Sequence, residues 1–403
     1  MSSNQVFEDA KWIIEALENH GHHAYFVGGS VRDYLMDKHI SDVDITTSAL
    51  PEEVESIFDK TLPIGKEHGT IIVLGSGQQF EVTTFRKDGD YVDHRRPTSV
   101  QFVTDLYEDV ARRDFTMNAI AMDKSYQLHD YFNGLKDINN KIIKAVGTPI
   151  DRMEEDALRI MRGVRFQAQT GFNIDDETKE AMSQSAHLLD KIAIERIVVE
   201  LKKMISGNYV SHIIQTMKDM AIFKYIPFFK NINLETIFIP QHSNFELWIA
   251  SLCYIYHLEL SSLNHLKISN KEKHEIISYY NLFNEFENGN ISKVEMTSMI
   301  YNYGNNKVNK VIQFIYENNQ SLNIQFHPTI MNTILVNEIY DKLPIYDKSD
   351  LSINGQIIMN EFNKNGGPWI KDILNKVEQA VILNKVNNTQ NELIEWVREN
   401  VEI

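Results

Sequence analysis

A short apolar run, His22-His23-Ala24-Tyr25-Phe26-Val27, stops at Gly28-Gly29, and a second, Asp42-Val43-Asp44-Ile45, carries two carboxylates. The order predicts a strand, a Gly-Gly turn, a short helix over 31–36 and a second strand over 42–46. A spacing of two on a strand puts Asp42 and Asp44 on one face. Two carboxylates so placed repel each other unless a cation lies between them, and such a pair is what Mg²⁺ ions need for in-line nucleotidyl transfer. The Gly-Gly turn lets backbone N–H groups approach a phosphate closely, with Arg32 nearby as a charge partner. Taken singly, Gly-Gly is a turn and Asp-x-Asp a solvated loop. Only their ordered combination carries the inference.

Composition narrows the class. A chain of 403 residues has room for roughly two to four domains and a sizeable core. Its 43% hydrophobic and 24% charged content is that of a globular protein. Cys253 is the only cysteine, which excludes an internal disulfide and a thiolate metal cluster and suits a reducing, cytoplasmic setting. The N-terminus lacks the basic and apolar regions of a signal peptide, and the longest apolar run, 247–258, is too short to span a bilayer. The net charge of −16 argues against a nonspecific nucleic-acid binder. An RNA partner would have to be met by a local basic surface formed on folding.

The first 150 residues alternate helix and strand. Val6, Ala10, Ile13, Ile14 and Leu17 give a helical stripe, and Pro51 opens a second helix with acids in its first turn. Residues 71–74 and 79–85 read as two strands joined by a Gly-rich hairpin. Alternation puts Glu81, Thr83 and Phe85 on one face, so Glu81 is a third candidate carboxylate if it lies beside Asp42 and Asp44, and otherwise an ordinary strand glutamate. Residues 86–97 are polar and aperiodic and read as a mobile loop. Beyond about residue 150 helical periodicity takes over, and 151–169 reads as one helix on which Asp156 and Arg159, three apart, are surface neighbours, with Arg162 and Arg165 continuing the series. They are either an intrahelical salt bridge or a base-reading pair. Cytosine and adenine both present an amino donor beside a ring-nitrogen acceptor, which a carboxylate and a guanidinium match. Uracil and guanine present the reverse pattern, and unmatched buried hydrogen bonds reject by factors of roughly 10⁴. His68, His242, His257, His265 and His274 have no ligand grouping, and Lys271, Lys273, Lys307 and Lys310 read as a solvated face rather than phosphate contacts.

The string Gly28-Gly29-Ser30-Val31-Arg32-Asp33-Tyr34-Leu35-Met36, then Ser41-Asp42-Val43-Asp44-Ile45-Thr46-Thr47, resembles the entry motif of the DNA polymerase β-type nucleotidyltransferase superfamily. It is similar to the branch holding class II tRNA nucleotidyltransferases (CCA-adding enzymes) and bacterial poly(A) polymerases. Arg112-Arg113-Asp114-Phe115-Thr116-Met117-Asn118-Ala119 resembles the second motif of that branch and Asp130-Tyr131-Phe132-Asn133-Gly134-Leu135-Lys136-Asp137 its third, although Asn133-Gly134 alone signals a hairpin turn. Glu155-Asp156-x-x-Arg159 resembles its nucleotide-selecting motif, and Ile194-Glu195-Arg196-Ile197-Val198-Val199-Glu200-Leu201 its last, read here as helix packing rather than chemistry. Gly366-Gly367-Pro368-Trp369 is similar to the tail of CCA-adding enzymes of low-GC bacteria.

The resemblance implies an α+β chain: a nucleotidyltransferase head with a mixed sheet at 1–147, then an all-α neck at 148–206, body at 207–320 and tail at 321–403. It implies that Asp42 and Asp44 hold Mg²⁺, that Gly28, Gly29 and Arg32 hold the triphosphate, and that Arg113 (with Arg112 beside it), Asp156, Arg159, Arg162 and Arg165 line the nucleotide pocket. It implies tRNA as partner and CTP and ATP as substrates, with no membrane, and leaves a homodimer open. The leading expectation is CCA addition. A poly(A) polymerase, or an enzyme adding only CC or only A, uses the same motifs, and a noncatalytic RNA-binding relative would have lost Asp42 or Asp44.

Overall fold

The computed structural model describes residues 3–75, 77–89, 91–92, 96–97, 100–233, 236–240, 243–287 and 291–401. The chain divides into two compact units, Met1–Asn244 with Asn264–Lys267, and Phe245–Leu263 with Ile268–Ile403. The first runs α1 (Ser3–Asn19), β1 (Ala24–Val27), α2 (Gly29–Leu35), β2 (Asp44–Thr47), α3 (Pro51–Ile57), β3 (Thr61–Leu62), β4 (Thr70–Gly75), β5 (Gln78–Thr84), β6 (Arg86–Asp88), β7 (Tyr91–Val92), β8 (Arg96–Pro97), β9 (Val100–Phe102), α4 (Leu106–Ala111), β10 (Ile120–Met122), β11 (Leu128–Asp130), α5 (Gly134–Asn139) and β12 (Ile142–Ile143). It continues with α6 (Pro149–Glu155), α7 (Leu158–Thr170), β13 (Asn173–Ile174), α8 (Asp176–Ser185), α9 (Ile194–Ile205) and α10 (Val210–Asp219). The expected α+β head followed by helices is what the chain adopts.

The mixed sheet has the order β11-β10-β1-β2-β5-β4-β3, with β2 and β5 parallel and β1 antiparallel to β2. One face carries Phe26, Ile45 and Val82 and is covered by α1, where Ala10, Ile13, Ile14 and Leu17 of the expected stripe are fully buried, but Phe7 and not the half-buried Val6 completes it. The Phe7 and Phe26 rings meet at 4.8 Å. Each such buried side chain contributes about 1.5–3 kcal/mol of transfer free energy. On the other face Val27 packs with Phe85, Leu106, Val110, Ala119, Ala121 and Val146. That face also carries Asp44 and Glu81, so the apolar layer ends where the carboxylates begin.

Three expectations are corrected. Residues 86–97 are partly strand: β6 pairs with β9 and β7 with β8, all antiparallel, while 90 and 93–95 lie outside the described residues. A two-stranded ribbon takes its pairing from the backbone, so no apolar alternation announces it. Asn133-Gly134 is not a hairpin turn. Asn133, left-handed at φ 59°, caps α5, and the Asp130 carboxylate accepts the Gly134 and Leu135 amides at 2.8 and 2.9 Å. The helix expected over 151–169 breaks at Asp156, which is extended (φ −136°, ψ 99°), so α6 and α7 are separate. The first unit is also tied across the break: Arg162 of α7 reaches the buried Asp114 carboxylate at 2.7 Å through Nε, and Asn118 Nδ2 and the Phe115 amide donate to its other oxygen.

The second unit is helical: α11 (Phe245–Ile255), α12 (Asn270–Glu287), α13 (Lys293–Tyr303), α14 (Asn305–Leu322), α15 (Thr333–Asp341), α16 (Gly355–Phe362), α17 (Pro368–Ile382) and α18 (Gln390–Asn400). Helix α11 is buried nearly all round, with Trp248 at its centre, and Phe283 links Tyr254 to Phe314 at ring distances of 5.6 and 5.7 Å. Ser292 and Glu295 form a capping box on α13. Gly366-Gly367-Pro368 opens α17, as expected. Lys307 pairs with Glu275 at 2.8 Å and lies over Tyr279. His242 lies outside the described residues. Among the described residues no helix is long and apolar enough to cross a membrane.

Two outcomes follow from this packing. A Cβ at Gly134 would meet the Thr116 carbonyl oxygen at 2.2 Å, so Gly134→Ala is expected to cost about 1–3 kcal/mol, read as a lower denaturant midpoint. Burial alone would raise the Asp114 carboxyl, but Arg162, Asn118 and the Phe115 amide outweigh burial and hold it at about 2. An unfolded aspartate titrates near ~3.9. The pairing therefore adds on the order of 2 kcal/mol that is fully present above about pH 4 and is lost as pH falls toward 2. Asp114→Asn should flatten that acid limb of stability against pH, and an unchanged slope would count against this account.

Candidate active site

The site begins where β1 ends. Gly28 has φ 76° and ψ −135°, a conformation open to glycine, and an added Cβ there would lie 3.2 Å from Arg113 Nη1 and 3.6 Å from Asp44 Oδ2. Gly28 therefore brings the end of β1, the start of β2 and Arg113 to one point. Gly29 is the first residue of α2. Strand β2 starts at Asp44, two residues later than expected, and Asp42 precedes it in the extended segment. Exposure still alternates, with Asp42 and Asp44 out and Val43 and Ile45 in, so the two carboxylates share a side. Glu81 is the register partner of Asp44 on β5, which places all three carboxylates together.

Charge at this point is uncompensated. Asp44 is exposed by area yet crowded by protein, and this desolvation, then Glu81, with Asp42 adding to them, pushes its carboxyl above the ordinary range, while Arg113 draws it back. An excess of carboxylate oxygens with no nitrogen or sulfur donor suits a hard divalent cation. Among the described residues no group of three or more His, Cys, Asp or Glu is arranged to hold a metal ion, so at most the Asp42–Asp44 pair is offered to one. Asp42 also accepts from the Ser41 hydroxyl. A cavity of about 660 Å³ opens beside it, lined among others by Asp37, Lys38, His39, Ser41 and Gln79.

The arginines are held in place, each by a carboxylate. Arg32 donates through Nε and Nη2 to Asp33, both at 2.9 Å, and through Nη1 to Asn118. Arg113 donates from Nη2 to Asp109 at 3.2 Å and turns Nη1 toward Gly28, while its buried Nε has no hydrogen-bond partner among the described residues. Arg165 is paired with Glu200 of α9 at 2.6 Å and lies 4.0 Å over the Phe166 ring; burial lowers its guanidinium to about 10. Arg162 is held by Asp114, as described.

Asp156 and Arg159 do not pair with each other. Asp156 Oδ1 accepts the Leu158 amide at 3.1 Å, and Oδ2 accepts from Arg196 Nη2 at 2.9 Å. Arg159, 6% exposed, donates to Glu155 Oε2 (2.7 Å), the Arg152 carbonyl (2.8 Å) and the Arg112 carbonyl (3.1 Å). The salt bridge is instead Glu155–Arg159, four residues apart, and it joins α6 to α7 across the break. Residues 194–201 do more than pack: Ile194, Ile197, Val198 and Leu201 are buried as expected, while Arg196 and Glu200 orient Asp156 and Arg165. Sequence reasoning thus missed Asp109, Asp114, Glu155, Arg196 and Glu200. For Asp109 and Glu155 the signal was there, an acid three or four residues ahead of an arginine. For the others it lay in tertiary contacts.

Comparison with known proteins places the chain in a family. Residues 24–144 match the family described as Poly A polymerase head domain, 171–232 the probable RNA and SrmB-binding site of polymerase A, and 241–397 tRNA nucleotidyltransferase domain 2. The CCA-adding enzyme of Staphylococcus epidermidis is 48% identical over 401 residues, covering 100% of both chains. That of Staphylococcus aureus is 43% identical over 399 residues, covering 99% of each. The crystal structure of the Bacillus stearothermophilus CCA-adding enzyme in complex with CTP is 34% identical, covers 98% of this chain and 97% of that one, and superposes with a TM-score of 0.82. The chain belongs to the CCA-adding enzymes, a family of tRNA nucleotidyltransferases.

Proposed function

We propose that this chain builds and repairs the 3′-terminal CCA of tRNA without a nucleic-acid template, using CTP and ATP, releasing pyrophosphate, and taking Mg²⁺ as the divalent metal ion that enzymes of this family use. The observation that carries the reading is the meeting of Asp44, Glu81 and Arg113 at the Gly28 turn within a chain of this family. Bound Mg²⁺ would be held by Asp42 and Asp44 and would supply charge stabilisation on the phosphates and an acidified 3′-hydroxyl. Glu81 adds negative charge beside that pair. The Gly28-Gly29 turn and Arg113, whose Nη1 stands at that turn, bind the triphosphate. Arg32, already engaged by Asp33 and Asn118, shapes the phosphate side.

Base choice falls to a different element. Asp156 sits in the break between α6 and α7, and its oxygens, each with one protein donor, keep lone pairs for an exocyclic amino group. Arg159 faces the ring nitrogen. Arg162 and Arg165 line the same pocket from α7. The same pair accepts cytosine and adenine and leaves uracil and guanine with unmatched groups. The chain is read as a head at 1–147, a neck at 148–206, and a body and tail at 207–320 and 321–403, the last two given to tRNA; the head-domain match at 24–144 supports the first of these, while the matches at 171–232 and 241–397 run across the inner boundaries.

Incubation with tRNA lacking its 3′ end, Mg²⁺ and labelled CTP or ATP should give incorporation of C, C and A, and Asp42→Ala should reduce it to background. Absence of CMP incorporation by the unaltered chain would refute the reading, and long tails from ATP alone on arbitrary RNA would favour a poly(A) polymerase. Asp156→Ala combined with Arg159→Ala, assayed with all four nucleotides, should lower the preference for CTP over UTP by on the order of 10²-fold or more while transfer persists. An unchanged preference would remove these two residues from base selection.

A further inference from the structure

The most completely enclosed carboxylate near the site is one that has no substrate to touch. Asp109 of α4 is 0% exposed. Its Oδ1 accepts from Arg112 Nε at 3.0 Å, Arg112 Nη2 at 2.8 Å and the Arg86 amide at 3.3 Å. Its Oδ2 accepts from Arg113 Nη2 and from Thr46 Oγ1, both at 3.2 Å. Burial alone would raise this carboxyl; Arg112 and Arg113 outweigh it and hold the group below the usual range, so it stays charged.

The partners belong to separate parts of the machinery. Thr46 lies two residues beyond Asp44 on β2 and on the same face; its hydroxyl is shared between Asp109 and the Thr83 carbonyl, both at 3.2 Å, so Asp109 is one of two anchors on the strand that carries the carboxylate. Arg113 stands against Gly28 and Asp44. Arg112 ends α4, and its carbonyl accepts from Arg159, while the preceding carbonyl, of Ala111, accepts from Arg152 Nη1 at 3.2 Å. Arg86 opens the β6–β9 ribbon. One buried carboxylate therefore touches the strand of the proposed metal-binding pair on one side and, through Arg112, one of the acceptors that hold the base-reading arginine on the other.

We propose that Asp109 is a positioning residue that couples the chemical step to nucleotide choice. The inference rests on the functional reading above. Only a carboxylate fills the place. Both oxygens receive N–H or O–H donors, so the NH₂ of an asparagine would face a donor in either orientation. A glutamate would add a methylene to a site with no free volume at the surface to take it.

The test uses the full chain and measures CMP and UMP addition to tRNA lacking its 3′ end. Asp109→Asn should lower kcat for CMP addition about 100-fold, as a displacement of about 1 Å in a reacting group does, with KM for tRNA changed by less than about twofold. The preference for CTP over UTP should fall about tenfold in the same variant. Glu108→Gln, on the same helix but 37% exposed in its pairing with Lys87, should leave both quantities unchanged. Two further variants separate the arms and serve if Asp109→Asn does not fold. Thr46→Val should lower kcat with preference kept, and Arg112→Ala should lower preference by a larger factor than kcat. Normal rate and preference in folded Asp109→Asn, or loss of rate with preference intact, would overturn the coupling. So would equal effects of Thr46→Val and Arg112→Ala on both quantities. Failure of the unaltered chain to add CMP would instead overturn the functional reading itself.

Discussion

A carboxylate shut away from water must be met by a cation or by several donors, and this rule sorts the acids of the head into two kinds. Asp109 and Asp114 are fully enclosed, and each is matched by arginine. Asp42, Asp44 and Glu81 share a side, where Arg113 offsets part of the charge on Asp44. The first kind builds the frame and the second is left in surplus, where, on the proposed function, a divalent metal ion would balance it. The surplus is meaningful because the neighbouring acids are so thoroughly neutralised.

The sheet explains why both kinds sit together. Pairing β2 in parallel with β5 sets Asp44 opposite Glu81, and the alternation of strand residues sends Thr46 toward α4 from the same face. A one-residue slip would turn all of these into the apolar layer beneath α1. Register, fixed by Phe26, Ile45 and Val82 on the buried side, is thus what aims the chemistry on the other.

Much of this was legible in the sequence because it rests on local spacing. The α1 stripe, the Gly-Gly turn, the carboxylate pair and Gly367 ahead of Pro368 are patterns of neighbours, and the structure has each of them. The break at Asp156 was not legible: the flanking residues keep helical periodicity, and it is the tertiary hold of Arg196 on the side chain that accompanies the extended backbone there. The role of Asn133 was misread for a related reason. Asn-Gly favours positive φ in a hairpin and in a helix cap alike, and the Asp130 carboxylate, set by β11, decides between them. The 86–97 ribbon escaped because strand pairing there makes no demand on side-chain polarity.

Helix α7 carries three arginines, and each is moored to a different body: Arg159 to Glu155 of α6, Arg162 to Asp114 in the turn after α4, and Arg165 to Glu200 of α9. A beam pinned at three points along its length resists both rolling and sliding, since either motion strains every mooring at once. If α7 lines the nucleotide pocket as proposed, it does so as a fixed edge made of protein, and a change between the addition of cytidine and of adenosine by displacing α7 would have to break these moorings.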